Sequence, residues 1–284
     1  MSGAADSSPK STPWDDVFRF HFPEIPSTNV AAMNWLRTSQ PGQVCVFTAA
    51  HQTKGRGQHG KIWEHRAQQD LAWSMALHFN TPLNAQSINP SFWLHLNMLI
   101  SEAVKQCIIK SLSPIDALNV RIKWPNDLLV QHNSTWKKCA GILLENHWKG
   151  PNLQGIVIGI GLNIAPLDAS TDWVALQALS SQPLSIAACQ ALLENELTAI
   201  FQLSTRGHAA ISANDLEHYQ QSLFGWNEVM PFEWKGDIHS ARFLGINETG
   251  QAKLLWTSGP LTGRTTSHVS AGELRWILEE PSRD

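Results

Sequence analysis

Several short stretches in the first 165 residues carry side chains able to act on anions. The loop Gln52-Thr-Lys-Gly-Arg-Gly-Gln-His-Gly-Lys61 sets Gly55, Gly57 and Gly60 among the cations Lys54, Arg56 and Lys61. Closely spaced glycines let backbone N–H groups approach a ligand. The loop therefore suits a phosphate or another anion, although a basic surface loop has the same composition. In Lys123-Trp-Pro-Asn-Asp127, Pro125 breaks a strand ladder and leaves Lys123, Asn126 and Asp127 at a strand end. An amide and a carboxylate there suit a hydrated Mg2+, and the lysine a phosphate; an ordinary turn uses the same residue types. Lys138 opens the apolar run Cys139-Ala-Gly141, either as a solvated strand start or as a cation aimed into a pocket. Gly159-Ile-Gly161-Leu-Asn163 places two glycines within a strand, which gives a bulge or a bare surface for a flat ligand.

Gly55-Arg-Gly-Gln-His-Gly60 also matches the dinucleotide fingerprint. That fingerprint opens a helix inside a βαβ unit. Here Lys61-Ile-Trp63, polar residues and an alternating strand follow instead, and the context argues against a dehydrogenase. Taken together, the cations, the Asn-Asp pair and the glycine-rich ends form the kit an adenylate-forming site needs. A carboxylate is a poor acylating agent until it is joined to the α-phosphate of ATP, which makes AMP the leaving group. Two anions must first meet, and at 4 Å they repel by about 4 kcal/mol at an effective dielectric of about 20. Lysines, an arginine and Mg2+ offset that repulsion and stabilise the crowded phosphorus.

These residues have to be positioned by elements legible in the pattern. A helix follows Ser27-Thr28-Asn29, with Val30, Met33 and Leu36 on one stripe and Pro41-Gly42 beyond its end. Gln43–Ala50 is a short β-rich run. In Leu71–Phe79 the residues Leu71, Trp73, Met75, Leu77 and Phe79 alternate, which predicts a strand with one buried face. Ser91–Leu112 reads as a buried helix. Val120–Trp124, Leu128–Val130, Ala140–Glu145 and Gly155–Gly161 are β-type runs separated by short turns, hence antiparallel hairpins. Leu184–Leu203 and Ala210–Phe224 are helical. From Gly225 onward only short β-type runs occur, and they predict a small β-barrel. The expected organisation is a tail over 1–16, an α+β domain over 17–224 with a mixed, mainly antiparallel sheet, and a barrel over 225–284.

Composition limits the function. Of 284 residues, 43% are apolar and 16% charged, with 24 acids against 21 bases and a net charge of −3. That excludes wholesale disorder and gives no electrostatic footprint for bulk nucleic-acid binding. No apolar run approaches the ~18 residues of a membrane span. The N-terminus lacks a secretory pattern, so a cytoplasmic protein is expected. Cys45, Cys107, Cys139 and Cys189 form no CxxC pair and read as buried thiols.

The ordered set Ser27-Thr-Asn29, Gln52-Thr-Lys-Gly-Arg-Gly57, Lys123-Trp-Pro-Asn-Asp127, Lys138-Cys-Ala-Gly141 and Gly159-Ile-Gly-Leu-Asn163 resembles biotin protein ligase. The resemblance implies a class II aminoacyl-tRNA synthetase-like catalytic domain with an SH3-like C-terminal barrel. It implies that biotin and MgATP give biotinyl-5′-AMP, and that a lysine of a biotin carboxyl carrier protein or domain then takes the biotinyl group. On this reading Ser27, Thr28, Asn29, Gln52, Gly55, Arg56, Lys138, Gly141, Gly159 and Gly161 bind biotin. Arg56, Gln58, Lys61, Trp63, Lys123, Asn126, Asp127 and Asn163 form the ATP side. Arg56, Lys123 and Lys138 are the catalytic cations, Asp127 is the Mg2+ ligand, and Cys139 is not a nucleophile.

Two departures bear on the resemblance. Gln58 and His59 stand where the family carries further basic residues, and Lys61 replaces an arginine, which implies fewer phosphate contacts and a less tightly held adenylate. Only about 25 residues precede Ser27, which leads to the expectation of no DNA-binding domain and no nucleic-acid partner. A lipoate-type ligase and a non-catalytic biotin- or carrier-binding module are the rival readings. Monomer and homodimer both remain open.

Overall fold

A computed structural model describes residues 13–112, 119–166, 173–201 and 212–278. Its spine is strand β3, Asp70–Asn84, flanked by β2 (Val44–Ala49) and β7 (Asn152–Asn163). Adding β1 (Phe18–Phe22), β4 (Val120–Lys123), β5 (Asp127–His132) and β6 (Thr135–Lys149) gives a seven-stranded sheet in the order β1-β2-β3-β7-β6-β5-β4. Of the pairs in this sheet only β1–β2 is parallel; the others are antiparallel, as the short turns predict for β4–β5, β5–β6 and β6–β7. The β5–β6 turn puts Asn133 and Ser134 at φ 49° and 65°, the left-handed pair that a two-residue hairpin needs.

Both faces of β3 are buried, not one. Leu71, Trp73, Met75, Leu77 and Phe79 join α2 (Phe92–Ser111) and α3 (Ile186–Glu196) in the main core. On the other face Ala76 packs with Cys45, Phe47 and Val157 under Ala32 and Leu36 of α1 (Thr28–Leu36). Alternation reports one face only when the other meets water, and here a helix covers each side. The stripe of α1 is displaced for the same reason. Its buried residues are Thr28, Asn29, Ala32 and Leu36, while Val30 is exposed. The polar residues at its N-terminus turn inward, toward the site.

The expected tail is in part packed. Residues 1–12 lie outside the described residues, but Trp14 sets its ring 4.7 Å from Phe201 and donates Nε1–H to Thr198 Oγ1 at 3.2 Å. All four cysteines are free and buried. Burial pushes the Cys45 and Cys107 thiols up to about 12 and the Cys139 thiol higher still, so none is a thiolate at neutral pH. Among the described residues, no helix is long and apolar enough to cross a membrane.

After α4 (Ala213–Gln221) come β8 (Val229–Trp234), β9 (Asp237–Ile246), β10 (Ala252–Trp256), β11 (Thr265–Val269) and β12 (Leu274–Trp276). They form a five-stranded antiparallel sheet in the order β11-β10-β9-β8-β12, that of a small SH3-like barrel. At Gly245, φ +98°, a register shift bends β9, so the sheet can curl. Trp124 donates Nε1–H to Gly250 O at 3.0 Å, and Trp276 donates its own to Trp124 O at 3.1 Å. The two indoles lock this sheet onto the turn between β4 and β5.

Candidate active site

A cavity of about 990 Å3 opens between the glycine-rich face of the large sheet and the C-terminal sheet. Its floor is set by register. Gly141 pairs with Gly161 across β6 and β7, and Gly159 lies two residues away on the same face, opposite Ser74 of β3. A side chain at Gly159 would clash with Asn29, and one at Gly161 with the Trp63 indole. The bare strand surface expected from the sequence is therefore present, and the flat group lying on it is Trp63.

One end of the cavity is lined by neutral polar groups, backed by the Glu145 carboxylate. Gln52 Oε1 accepts from Thr28 N at 2.7 Å and from Thr28 Oγ1 at 3.0 Å. Ser74 Oγ lies 2.7 Å from Thr28 Oγ1 and 2.6 Å from Asn29 Oδ1. Asn29 Nδ2 donates to Glu145 Oε2 at 2.9 Å. Ser27 starts α1 without capping it through its side chain, and its hydroxyl is left for whatever fills the cavity. A neutral cyclic amide or urea matches such a set of short donors and acceptors.

The other end is ionic. Lys138 Nζ stands 2.6 Å from Asp127 Oδ1, and Lys123 Nζ 3.5 Å from Asp127 Oδ2. Two lysines share one carboxylate, leaving a net positive charge. Burial draws the Lys123 pKa below its ordinary value, against the upward pull of Asp127. Lys138 reaches the cavity through a bulge: Leu128 pairs with Ala140 but Leu129 with Lys138, so Cys139 is the extra residue and turns into the core. Val174 N and Asn163 Nδ2 donate to the Lys138 carbonyl at 2.9 and 3.4 Å. Lys138 Nζ also stands 5.3 Å from the Trp63 ring centroid.

Several expectations need correction. Gly55 and Asn163 do not line the cavity: Asn163 braces Lys138 from behind, and Gly55 accepts from Trp63 N. The loop is a small hairpin in which Gly57 N donates to Lys61 O at 2.7 Å, so that N–H is not offered to a phosphate. Arg56 is paired with Glu145 at 3.0 Å, not poised as a free cation. Asn126 donates Nδ2–H to Ile142 O at 2.8 Å and so fixes its own turn. Ser27, Thr28, Asn29, Gln52, Arg56, Gln58, Lys61, Trp63, Lys123, Asn126, Asp127, Lys138, Gly141, Gly159 and Gly161 do share the cavity. Sequence reasoning missed Ser74, Glu145, Trp173 and the barrel's Glu233, Lys235 and Arg275. Ser74 was legible as the one hydroxyl in an apolar alternating strand, and Glu145 as the acid ending an apolar run. Glu233 and Arg275 sit on short strands and Lys235 in the turn between two of them, with no local signal.

The sequence model of the biotin/lipoate A/B protein ligase family matches residues 21–163. The chain belongs to this family. All five sequence motifs lie within that match, and each contributes residues to the cavity. The chain is 30% identical over 186 residues to the bifunctional ligase/repressor BirA of Escherichia coli, covering 64% of this chain and 52% of that protein. It is 30% identical over 160 residues to the biotin–[acetyl-CoA-carboxylase] ligase of Paracoccus denitrificans, covering 56% and 59%. The chain spans about half the length of these relatives. The biotin protein ligase of Aquifex aeolicus, solved with biotin and ATP, shares the fold at a TM-score of 0.58 and 18% identity, covering 92% of this chain and 96% of that one.

Proposed function

We propose that this ligase-family chain activates biotin with ATP and transfers it to a lysine of a carboxyl carrier protein. The observation carrying the reading is the two-ended cavity, which joins a neutral hydrogen-bonding pocket at Thr28 and Gln52 to a lysine pair around Asp127. A ureido ring fits the first end and a carboxylate meeting a phosphate fits the second. Biotin lies along the Gly141, Gly159 and Gly161 floor once the Trp63 indole that covers it swings aside, with its ring held by Ser27, Thr28 and Gln52. Its carboxylate replaces Asp127 as the partner of Lys138. The carboxylate oxygen attacks the α-phosphorus, and pyrophosphate leaves. Lys138, Lys123 and Arg56, the last released from Glu145, offset the charge that builds up there. Gln58, Lys61, Trp63, Asn126 and Asp127 form the nucleotide side. A carrier lysine amine then attacks the acyl carbon; AMP leaves with the bonding pair, and the amine loses its proton.

Mg2+ accompanies ATP in this reading. Among the described residues, no three His, Cys, Asp or Glu side chains converge. Mg2+ keeps most of its waters and is held through one or two carboxylates plus phosphates, so the single carboxylate of Asp127 fits an ion arriving with the nucleotide. Such an ion would neutralise charge on the pyrophosphate leaving group. A division into a ligase unit over 17–224 and a barrel over 225–284 is supported by Gly225, φ +66°, which turns the chain between Phe224 and the first barrel strand. The test is mass spectrometry of a carrier domain incubated with the protein, MgATP and either biotin or lipoate. One biotinyl adduct on the carrier lysine is expected; a lipoyl adduct instead, or none, would refute the reading.

A further inference from the structure

His65 is buried, yet it touches neither the cavity floor nor the lysine pair. Both its ring nitrogens are committed to backbone. Gln52 N donates to Nδ1 at 3.0 Å, and Nε2 stands 3.1 Å from Asp70 O. An amide N–H only donates and a carbonyl only accepts, so the ring carries its proton on Nε2 and leaves Nδ1 bare. The ring is the neutral tautomer. It supports from behind the residue whose side-chain oxygen is pinned by Thr28 and whose Nε2–H donors are left for a ligand.

The Asp70 side is rigid. Arg66 Nη2 and Nε donate to the Asp70 carboxylate at 2.5 and 3.0 Å, and Ile164 N donates to it at 3.1 Å. Arg66 also donates to Ala165 O and Pro166 O at 2.8 and 2.7 Å. His65 is thus a strut between a fixed clasp and Gln52.

We propose that neutral His65 is a positioning residue for the biotin pocket, so that its protonation, by removing the acceptor for Gln52 N–H, withdraws Gln52 and weakens biotin binding. The proposal rests on the biotin reading of the cavity. Charged groups around the ring are Asp70, neutralised by Arg66; Arg66 itself; and His51, whose ring lies 6.3 Å away and is paired with Glu24 at 3.0 Å. Burial holds the His65 pKa below its ordinary value, with Asp70 pulling the other way and His51 and Arg66 pushing it further down. The switch therefore operates on the acid side of neutrality.

The experiment is biotin titration calorimetry on the full chain from pH 8 to pH 5.5, with the His65 tautomer and pKa read by 15N NMR with and without biotin. His65→Asn keeps an acceptor and a donor without titrating; His65→Leu keeps neither; His51→Gln removes the neighbouring imidazole. Losing one buried hydrogen bond is worth about tenfold in affinity. The wild type is expected to lose biotin affinity progressively as the pH falls, toward a limit of about tenfold reached only below the depressed His65 pKa, and the His51→Gln variant to keep that limb, moved toward higher pH. His65→Asn should flatten the acid limb, and His65→Leu should bind about tenfold more weakly at pH 8. By reciprocity, saturating biotin must lower the His65 pKa. This last reading needs no variant to fold. A His65 pKa unmoved by bound biotin, or an acid limb unchanged in His65→Asn, would overturn the proposal. Failure of the wild type to bind biotin at pH 8 would overturn the biotin reading itself.

Discussion

At the scale of single residues, the site turns on Asp127. Its carboxylate is the shared partner of Lys123 and Lys138, which holds two lysines closer together than they would otherwise stand. In the proposed function this pairing stores a cation for the substrate anion: Lys138, paired with Asp127 here, is released when a carboxylate or phosphate arrives. Asp127→Asn leaves both lysines without a counter-charge. Its stability cost is put at about 1–2 kcal/mol, below that of a deeply buried pair because the groups keep some solvent contact. Urea unfolding is expected to show that loss, and steady-state kinetics a KM for MgATP raised about tenfold or more, with biotin affinity changed less. A biotin KM rising as far as that for MgATP would contradict this division. The residue types around Asp127 were readable from the sequence because a lysine pair, an asparagine and an acid near one strand end have few structural uses together. What could not be read was that Arg56 would find Glu145. That ion pair joins a loop to the middle of β6, and no local spacing encodes it.

Elements place these residues by register. Strand β6 carries both Lys138 and Gly141, and its bulge at Cys139 sends Lys138 toward the cavity while the thiol enters the core. The pairing of Gly141 with Gly161 leaves a gap in the side-chain layer, and Trp63 lies in it. Gly161→Ala puts a methyl group into the indole and must lift it off the floor. Trp63 fluorescence is expected to change, and biotin and ATP to bind at least about tenfold more weakly, at a stability cost of about 1–3 kcal/mol for overpacking. Unchanged affinity for both ligands would show that the indole is not part of the ligand surface. The hairpins from β4 to β7 were legible because their apolar runs and turns are local. Strand β1 was not, since Phe18–Phe22 pairs in parallel with β2 across more than 20 residues. The burial of both faces of β3 was hidden for a related reason: a hydrophobic pattern says what is apolar, not how many neighbours will cover it.

At the largest scale, the C-terminal sheet is bonded to the β4–β5 turn, which forms the nucleotide side in the proposed function. Trp276 packs against Phe224, Phe232 and Phe243 and donates to the Trp124 carbonyl, next to Pro125, Asn126 and Asp127. Trp276→Ala is expected to cost about 3–5 kcal/mol, as for a buried aromatic, and to raise the KM for ATP more than that for biotin. A kinetically silent variant would show the sheet to be a bystander.

The molecule also carries a pH dependence of stability. Burial lowers the pKa values of His65, His78 and His147. The unfolded chain therefore takes up these protons first, at its ordinary histidine pKa of about 6.5, and folding excludes them. Their contribution is fully present above that pH and is lost as pH falls through and below it. Thermal unfolding followed from pH 8 to pH 5 should show Tm falling on the acid side, with proton uptake on unfolding; a Tm that rose toward pH 5 would contradict this.

In the proposed function one cavity brings a carboxylic acid, recognised through Thr28 and Gln52, to a phosphorus held by Lys123 and Lys138. ATP–pyrophosphate exchange tests it most directly, since the isotope returns to ATP only if an acyl adenylate forms reversibly in the site. The wild type is predicted to exchange only when biotin is present, and Lys138→Ala to lose at least about a hundredfold of that rate while still binding biotin. Exchange that proceeds equally without biotin, or that survives in Lys138→Ala, would contradict the account.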